Sequence, residues 1–322
     1  MRLVRVPKLD REVSAIGFGC ASLGSRISAA DGRRAIAHAL DLGLTWFDVA
    51  PSYGDGQAES LLGSALRGRR DKVVICTKFG IAPPPVPLAA RLIRPLARQA
   101  VAAFPGLRGA VAKARPIGAR APIDPAAIEA SVTRSLRLLR TDTIDVLAIH
   151  EPSPQDAANP AIFDVLRRLV ERGLVRAVSI AGDPPSIETA VRTDASIGIA
   201  QFPDTPLTHA AAILRERLPA PAPTFITHGV FGSGLSQAFA RLTAQRRAKI
   251  AELARRHGVD FRNTPDDLLL RFAFSNNPDG VVIISMFDSS HIERNIVGAR
   301  QNPIPGFADA VRQGLAACEP IG

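Results

Sequence analysis

Asp48, Tyr53, Lys78 and His150 are side chains suited to moving protons, and three of them stand where an apolar run stops: Asp48 after "TWF", Lys78 after "VVICT", His150 after "VLAI". Tyr53 follows Asp48 by five residues and is the one tyrosine in a chain of 322 residues that uses fourteen phenylalanines. Packing alone would be served by phenylalanine, so the hydroxyl is the part to explain. A free phenol, with a pKa of about 10, is a poor acid at neutral pH, but a nearby ammonium stabilises the phenolate and lowers that value. Lys78 is the available ammonium. A lysine in an apolar mouth tends to lose its proton unless a carboxylate compensates it, and Asp48 is the available carboxylate. His150, donating to a carbonyl oxygen, would orient a substrate and share the charge that develops on it. None of the four can act as a two-electron donor, so a cofactor must bring the hydride. Taken singly, each residue has an ordinary explanation: a turn opener, packing, a solvated strand end, a satisfied core histidine. Their coincidence at equivalent strand ends favours chemistry.

Four positions so far apart in sequence need a frame that gathers them. Short apolar runs alternate with helix-period stretches along almost the whole chain, the pattern of repeated β-α units. The predicted strands are 14–19, 45–48, 73–78, 144–150, 175–180, 197–202, 224–227 and 280–284. Eight such units fit an α/β fold of the closed (β/α)8 TIM barrel type, in which strand C-termini converge on one mouth. A G-x-G-x-x-G fingerprint after the first strand is absent, which argues against an open dinucleotide-binding sheet. Helix ends are marked by Asp124-Pro125 as N-cap and first-turn proline, by Gly173 as a left-handed cap, and by Ser290 with Glu293 as a capping box. The sequence also predicts an N-terminal β-hairpin around "PKLD", a long loop after strand 3 (79–123), and an extra helix near the C-terminus (264–275). A tail after Asn302 is expected to wrap over a barrel face, and residues 1–322 are read as a single domain.

The segments "GLTWFDVAPSYGDGQAESLLGSAL", "VVICTKFG" and "TDTIDVLAIHEP" resemble the aldo-keto reductase family, and the likeness extends to "HIERNIVGA". The resemblance implies a reductase or dehydrogenase acting between a carbonyl and an alcohol through NADP or NAD, with Asp48, Tyr53, Lys78 and His150 as the catalytic tetrad and Tyr53 as general acid/base. It further implies that Gln201 holds the nicotinamide carboxamide. The Ser-Asn pair that assists it in the family falls on Ala181 and Gly182, so that anchor is altered. The aromatic ring stacked on the nicotinamide would be His228 or Phe231, with His228 preferred. Gly232, Ser233 and Gly234, after the seventh strand, are placed for phosphate binding through backbone N–H groups, although a plain glycine turn is as common a reading. "ISMFDSSHIERN" resembles the family's adenosine-end motif, with Asn295 at the adenine contact. Its expected basic residue is replaced by Ser285, Met286 and Phe287, and His291 and Arg294 are the groups that could compensate. NADP is therefore the first expectation and NAD the second.

Charge and composition bound the alternatives. The net charge is +10, and seven of those charges, Arg91, Arg94, Arg98, Arg108, Lys113, Arg115 and Arg120, fall between residues 81 and 123 with no acidic residue among them. That segment could draw in anionic substrates or be a solvated insertion. Other arginines mostly sit beside acids on helical stretches, without the aromatic interleaving of a nucleic-acid surface. No run approaches the roughly 20 apolar residues of a membrane span, and no secretory signal opens the chain. A cytoplasmic protein with a small-molecule carbonyl or alcohol substrate, and no nucleic-acid or membrane partner, is the expectation. Cys20, Cys76 and Cys318 are scattered, and neither His-x-His nor grouped carboxylates occur at strand ends, so no metal site is expected. A cofactor-binding regulatory or interaction protein with little turnover is the alternative function.

Overall fold

The computed structural model of the protein describes residues 1–83, 121–232, 235, 243–259 and 265–316. An antiparallel hairpin of β1 (Leu3–Val6) and β2 (Arg11–Ser14) opens the chain, as expected. Eight parallel strands then fall on the predicted runs: β3 (Ile16–Gly19), β4 (Trp46–Asp48), β5 (Val74–Phe79), β6 (Ile144–His150), β7 (Val175–Ala181), β8 (Ile199–Pro203), β9 (Thr224–His228) and β10 (Val281–Ile284). They pair in chain order, and β10 returns to β3 to close the barrel.

Closure explains why these runs are nearly continuous in apolar residues: a barrel strand is covered on both faces. Outward-facing Phe18, Phe47, Ile75, Leu147 and Ile149 pack under the surrounding helices. Inward-facing Trp46, Val74, Val146, Ala148, Ile199, Ile226 and Ile283 fill the interior, together with Val4, Val6 and Val13 of the hairpin. The hairpin therefore plugs the N-terminal end of the barrel. Lys8 of its turn lies so close to Gly198, just before β8, that a Cβ there would come within 2.1 Å of the lysine Cγ. The C-terminal end is left as the mouth.

Local signals set the helix ends. Asp124 accepts from the Ala126 N–H and Pro125 opens the helix Pro125–Leu139, as predicted. In the helix Pro160–Glu171, Ile162, Phe163, Val165, Leu166 and Leu169 are buried, each contributing about 1.5–3 kcal/mol if fully withdrawn from water. Gly173 follows with φ 71°, the left-handed conformation expected of it. The capping box assigned to Ser290 and Glu293 does not form. Asp288 caps the helix Ser289–Arg300 instead, accepting from the N–H groups of Ser290 and His291, while Glu293 faces His38 of the neighbouring helix Ala29–Asp41 at 3.1 Å. A carboxylate two positions earlier competes better for those donors than the serine hydroxyl.

The extra helix is present as Pro265–Asn276. The tail does not simply wrap: Phe307–Ala316 forms a further helix against Ala244–Arg256 and Pro265–Asn276, because Phe307, Ala308 and Val311 share one buried side. Surface arginines are ion-paired on and between helices, as in Arg69 with Asp41 and Arg172 with Glu129. Within the predicted long loop, residues 84–120 and all seven of its basic side chains lie outside the described residues, as do Ser233, Gly234 and Cys318. Among the described residues, no helix is long and apolar enough to cross a membrane.

Candidate active site

The parallel register decides which side chains reach the mouth. Gly19, Asp48 and Cys76 are level with one another, Lys78 pairs with Ala148, and His150, Ala181 and Gln201 form the next tier. His228 stands beside Pro203 at the end of β9. With a side-chain period of two, Asp48, Lys78, His150, Gln201 and His228 all point inward. Tyr53 comes from the turn Tyr53–Gly56 after β4, whose Gly54 donates to the Ala21 carbonyl. Gly54 has φ +60°, and a Cβ there would lie 1.7 Å from the Leu23 carbonyl oxygen. Only glycine lets this turn seat the tyrosine against the mouth.

The four predicted catalytic residues meet. Lys78 Nζ donates to both Asp48 carboxylate oxygens at 2.7 Å and to the Val49 carbonyl at 3.1 Å. Lysine and aspartate are almost fully withdrawn from water. The ammonium lies 4.9 Å from the centroid of the Tyr53 ring, and the His150 ring stands edge-on to that ring at 5.8 Å.

Burial alone would strip the proton from Lys78. Asp48, and after it Tyr53 and Cys76, outweigh burial and hold the lysine pKa above its ordinary value, so the ammonium persists. The phenol departs from expectation. Lys78 does pull the Tyr53 pKa down by its charge and a hydrogen bond, but burial, aided by Asp48, pushes harder, and the net value is raised. Tyr53 therefore stands at neutral pH as a protonated acid beside a cation that will stabilise its conjugate base. His228 is pushed down to about 4, chiefly by burial, and presents a neutral imidazole. Burial also keeps Cys76 a thiol, and it donates to Gln201 Oε1 at 3.9 Å.

Two clefts open at the mouth, and Tyr53, Gln201 and His228 line both. One, of about 290 Å³, is bounded by Lys78, His150, Ala181 and Gly182. The other, of about 470 Å³, runs past Asp48 to Gly19, Phe231, Gly232 and Ser285. Gln201, Ala181, Gly182, His228 and Ser285 are thus placed where a nicotinamide nucleotide bound over Tyr53 would meet them. Gly232 donates to the Gly229 carbonyl at 2.7 Å, and a Cβ on Gly232 would lie 2.7 Å from that oxygen, so this turn exposes bare backbone to the cleft. Two adjoining clefts, a glycine turn and a neutral ring are features a dinucleotide can use, and on these observations the residues fit it. The remaining predicted contacts stand apart. Asn295 is buried with its amide on Met286 Sδ at 3.7 Å, Arg294 is ion-paired with Asp266 at 3.4 Å, and His291 is exposed on the first turn of its helix.

Sequence reasoning missed Arg26. It lines the larger cleft and is its only lysine or arginine among the described residues. Buried Ser22 fixes it, accepting from Nε at 3.1 Å and Nη2 at 2.6 Å. Its one sequence signal is a cation in the loop after the first barrel strand, and arginines are too common in this chain for that to stand out. Glu151 and Asp183, beyond the ends of β6 and β7, line the smaller cleft and were likewise missed.

A family model described as "Aldo/keto reductase family" matches residues 15–304. Among curated proteins, a D-threo-aldose 1-dehydrogenase from Pseudomonas sp is 30% identical over 236 residues, covering 69% of this chain and 67% of that protein. Aldo-keto reductase YhdN of Bacillus subtilis is 27% identical over 176 residues, 53% of this chain and 44% of its own length. The match thus spans less than half of YhdN. Among solved structures, aldo-keto reductase AKR11C1 from Bacillus halodurans in its holo form has a TM-score of 0.71 at 20% identity, covering 98% of this chain and 96% of that one. The glycerol dehydrogenase AKR11B4 from Gluconobacter oxydans has a TM-score of 0.72 at 19% identity, covering 99% and 97%. At these identities the structural likeness speaks for the barrel.

Proposed function

The chain belongs to the aldo/keto reductase family, and from that premise we propose that it is an NAD(P)-dependent oxidoreductase interconverting the carbonyl of an aldehyde, ketone or sugar and the corresponding alcohol. The observation that carries the reading is the buried Asp48–Lys78 ion pair with Tyr53 set against it: a proton donor is useful in this place only if its anion is provided for. The nicotinamide, when bound, supplies or takes the hydride.

In reduction, Tyr53 gives its proton to the carbonyl oxygen as that oxygen gains charge, and Lys78 stabilises the phenolate left behind. Asp48 keeps Lys78 charged although it is out of water. His150 donates to the same oxygen and aims the carbonyl at the mouth. Oxidation uses the phenolate as base and reverses each role. With a dinucleotide bound, Gln201 would hold the carboxamide, the neutral ring of His228 would face the nicotinamide, and Arg26 with the Gly229–Gly232 turn would take the diphosphate.

A polyhydroxylated substrate is favoured by the relative named for an aldose, and sugars head the test panel. A second reading, a nucleotide-binding regulatory protein with little turnover, draws on Ala181 and Gly182, which would leave the carboxamide without polar side-chain partners at the end of β7. Titration with NADH and NADPH by nicotinamide fluorescence, followed by a panel of aldehydes, ketones and sugars read by absorbance, separates the two. Turnover that disappears in Tyr53→Phe with dinucleotide affinity kept supports the enzyme. Full turnover in that variant would discard this mechanism.

A further inference from the structure

We propose that Glu59, a buried acid with no part in the chemistry above, is a positioning residue whose hydrogen bond with Thr77 sets Tyr53 against Lys78. The inference deepens the functional reading and rests on it for its kinetic arm. Glu59 lies in the first turn of the helix Ala58–Ala65, which follows directly on the Tyr53 turn. Both Glu59 and Thr77 are almost wholly buried. Thr77 Oγ1 donates to Glu59 Oε1 at 2.7 Å, while Glu59 Oε2 is buried without a hydrogen bond. Burial raises the Glu59 pKa above the ordinary carboxylate value, against the opposing pulls of Thr77, Ser135, Arg134 and Lys78. An apolar side chain would pack in this place without the cost of burying an acid with one oxygen unpaired. Stability alone therefore gives no reason for a carboxyl here.

Place in the fold supplies one. Thr77 immediately precedes Lys78 on β5, and with a side-chain period of two it faces outward while Lys78 faces the mouth. A bond to Thr77 from behind the strand thus constrains the ammonium in front of it. The backbone bonds of the Tyr53 turn lead toward the neighbouring strands: Tyr53 N donates to the Ala50 carbonyl at 3.0 Å, after β4, and Gly54 N to the Ala21 carbonyl at 3.3 Å, after β3. Among the described residues, Glu59 is the member of its helix whose hydrogen bond reaches β5. Ala58 and Leu62 pack the same helix into the core, and a Cβ on Gly63 would lie 2.5 Å from the Leu139 carbonyl. Apolar contacts are non-directional, whereas a buried hydrogen bond has a set length and angle and so fixes the register of the helix on the strand. Register matters because the Lys78 ammonium works on the Tyr53 ring from 4.9 Å, and a misplacement of about 1 Å near reacting groups can cost a hundredfold in rate.

The test compares Glu59→Gln, Thr77→Val and the double variant Glu59→Leu with Thr77→Val, all in the full chain. Thr77→Val strands the acid and should lower the melting temperature. The double variant leaves no polar group stranded and should melt within about 2 °C of the wild type. Glu59→Gln keeps an acceptor for Thr77 and should retain the wild-type kcat. The double variant should lose about ten- to a hundredfold in kcat with dinucleotide affinity unchanged; a purely structural role would return kcat together with stability. A second reading needs no turnover. Tyr53 is the sole tyrosine, so alkaline absorbance titration of the cofactor-free protein follows this phenol alone, and fluorescence of Trp46, the sole tryptophan, reports that the barrel is still folded. Lys78 pulls the Tyr53 pKa down, so looser pairing behind side chains that still exclude water should move the titration midpoint to higher pH. A midpoint unmoved in the double variant, or a kcat restored along with stability, would overturn the inference. Thr77→Val, which keeps the shape of the side chain, is read by the same titration should the double variant fold poorly. A wild type without turnover on any carbonyl would remove the functional reading, while the midpoint would still decide the role of Glu59.

Discussion

Replacing Asp48 by asparagine tests the electrostatic logic of the site directly. Asp48 accepts two 2.7 Å hydrogen bonds from an ammonium that is almost wholly buried. Removing one partner of such a pair strands the other charge, a loss of about 3–5 kcal/mol. In a chain of this length about 2 °C accompanies each kcal/mol, so the melting temperature at pH 7 should fall by about 6–10 °C. The pH dependence should also change sign. In the wild type the folded-state pKa of Lys78 lies above its unfolded value, so its contribution is complete below about pH 10.4 and is lost only as pH rises through the folded value. In Asp48→Asn, burial is no longer opposed by its chief counterweight. Lys78 is then neutral when folded but protonated when unfolded, and stability rises with pH by up to about 1.4 kcal/mol per unit below pH 10.4. Calorimetry at pH 7 and pH 9 reads both effects. The double variant Asp48→Asn with Lys78→Met should recover part of the loss, because an apolar pair leaves no stranded charge. A variant that melts within about 1 °C of the wild type, without a rising slope, would refute the argument that Asp48 exists to keep Lys78 charged.

Tyr53→Phe should lower kcat by about two to four orders of magnitude while dinucleotide fluorescence titrations stay superimposable on the wild type. Because burial raises the phenol pKa above its usual value of about 10, the rate of carbonyl reduction should stay level through the neutral range and decline only at strongly alkaline pH. Alcohol oxidation, which needs the phenolate, should climb with pH over the same interval; a reduction limb that falls near pH 7 would contradict the assignment. Arg26→Gln should weaken NADH and NADPH alike by about ten- to a hundredfold, from the loss of a charge-assisted hydrogen bond of about 1.5–3 kcal/mol, with the larger effect at low salt. Loss of NADPH binding alone would move Arg26 from the diphosphate to the 2′-phosphate.

What the sequence by itself determined was whatever depends on near neighbours in the chain. The apolar runs and their spacing specify eight strands buried on both faces, and strand ends are where a polar residue interrupts the run, so Asp48, Lys78 and His150 were legible. Tyr53 was legible because a single phenol among fourteen phenylalanines has no packing reason to exist. The caps at Asp124 and Gly173 were equally local.

Tertiary structure alone decided the outcomes that rest on competition between groups brought together by closure of the barrel. Lys78 lowers the pKa of any adjacent phenol, yet the proton on Tyr53 is settled by how much water the mouth admits, and that depends on walls contributed by several strands. Ser290 and Asp288 both have the chemistry of a cap. The carboxylate prevails once the helix axis is laid down, because it is Asp288 that then faces the N–H groups of Ser290 and His291. Arg26 is one arginine among thirty-five until the loop after β3 folds over the mouth and Ser22 points it at the space beside Tyr53. Local pattern specifies which groups exist and roughly where they sit. Which of them prevails is set by distance, burial and the partners already taken, and those exist only in the closed barrel.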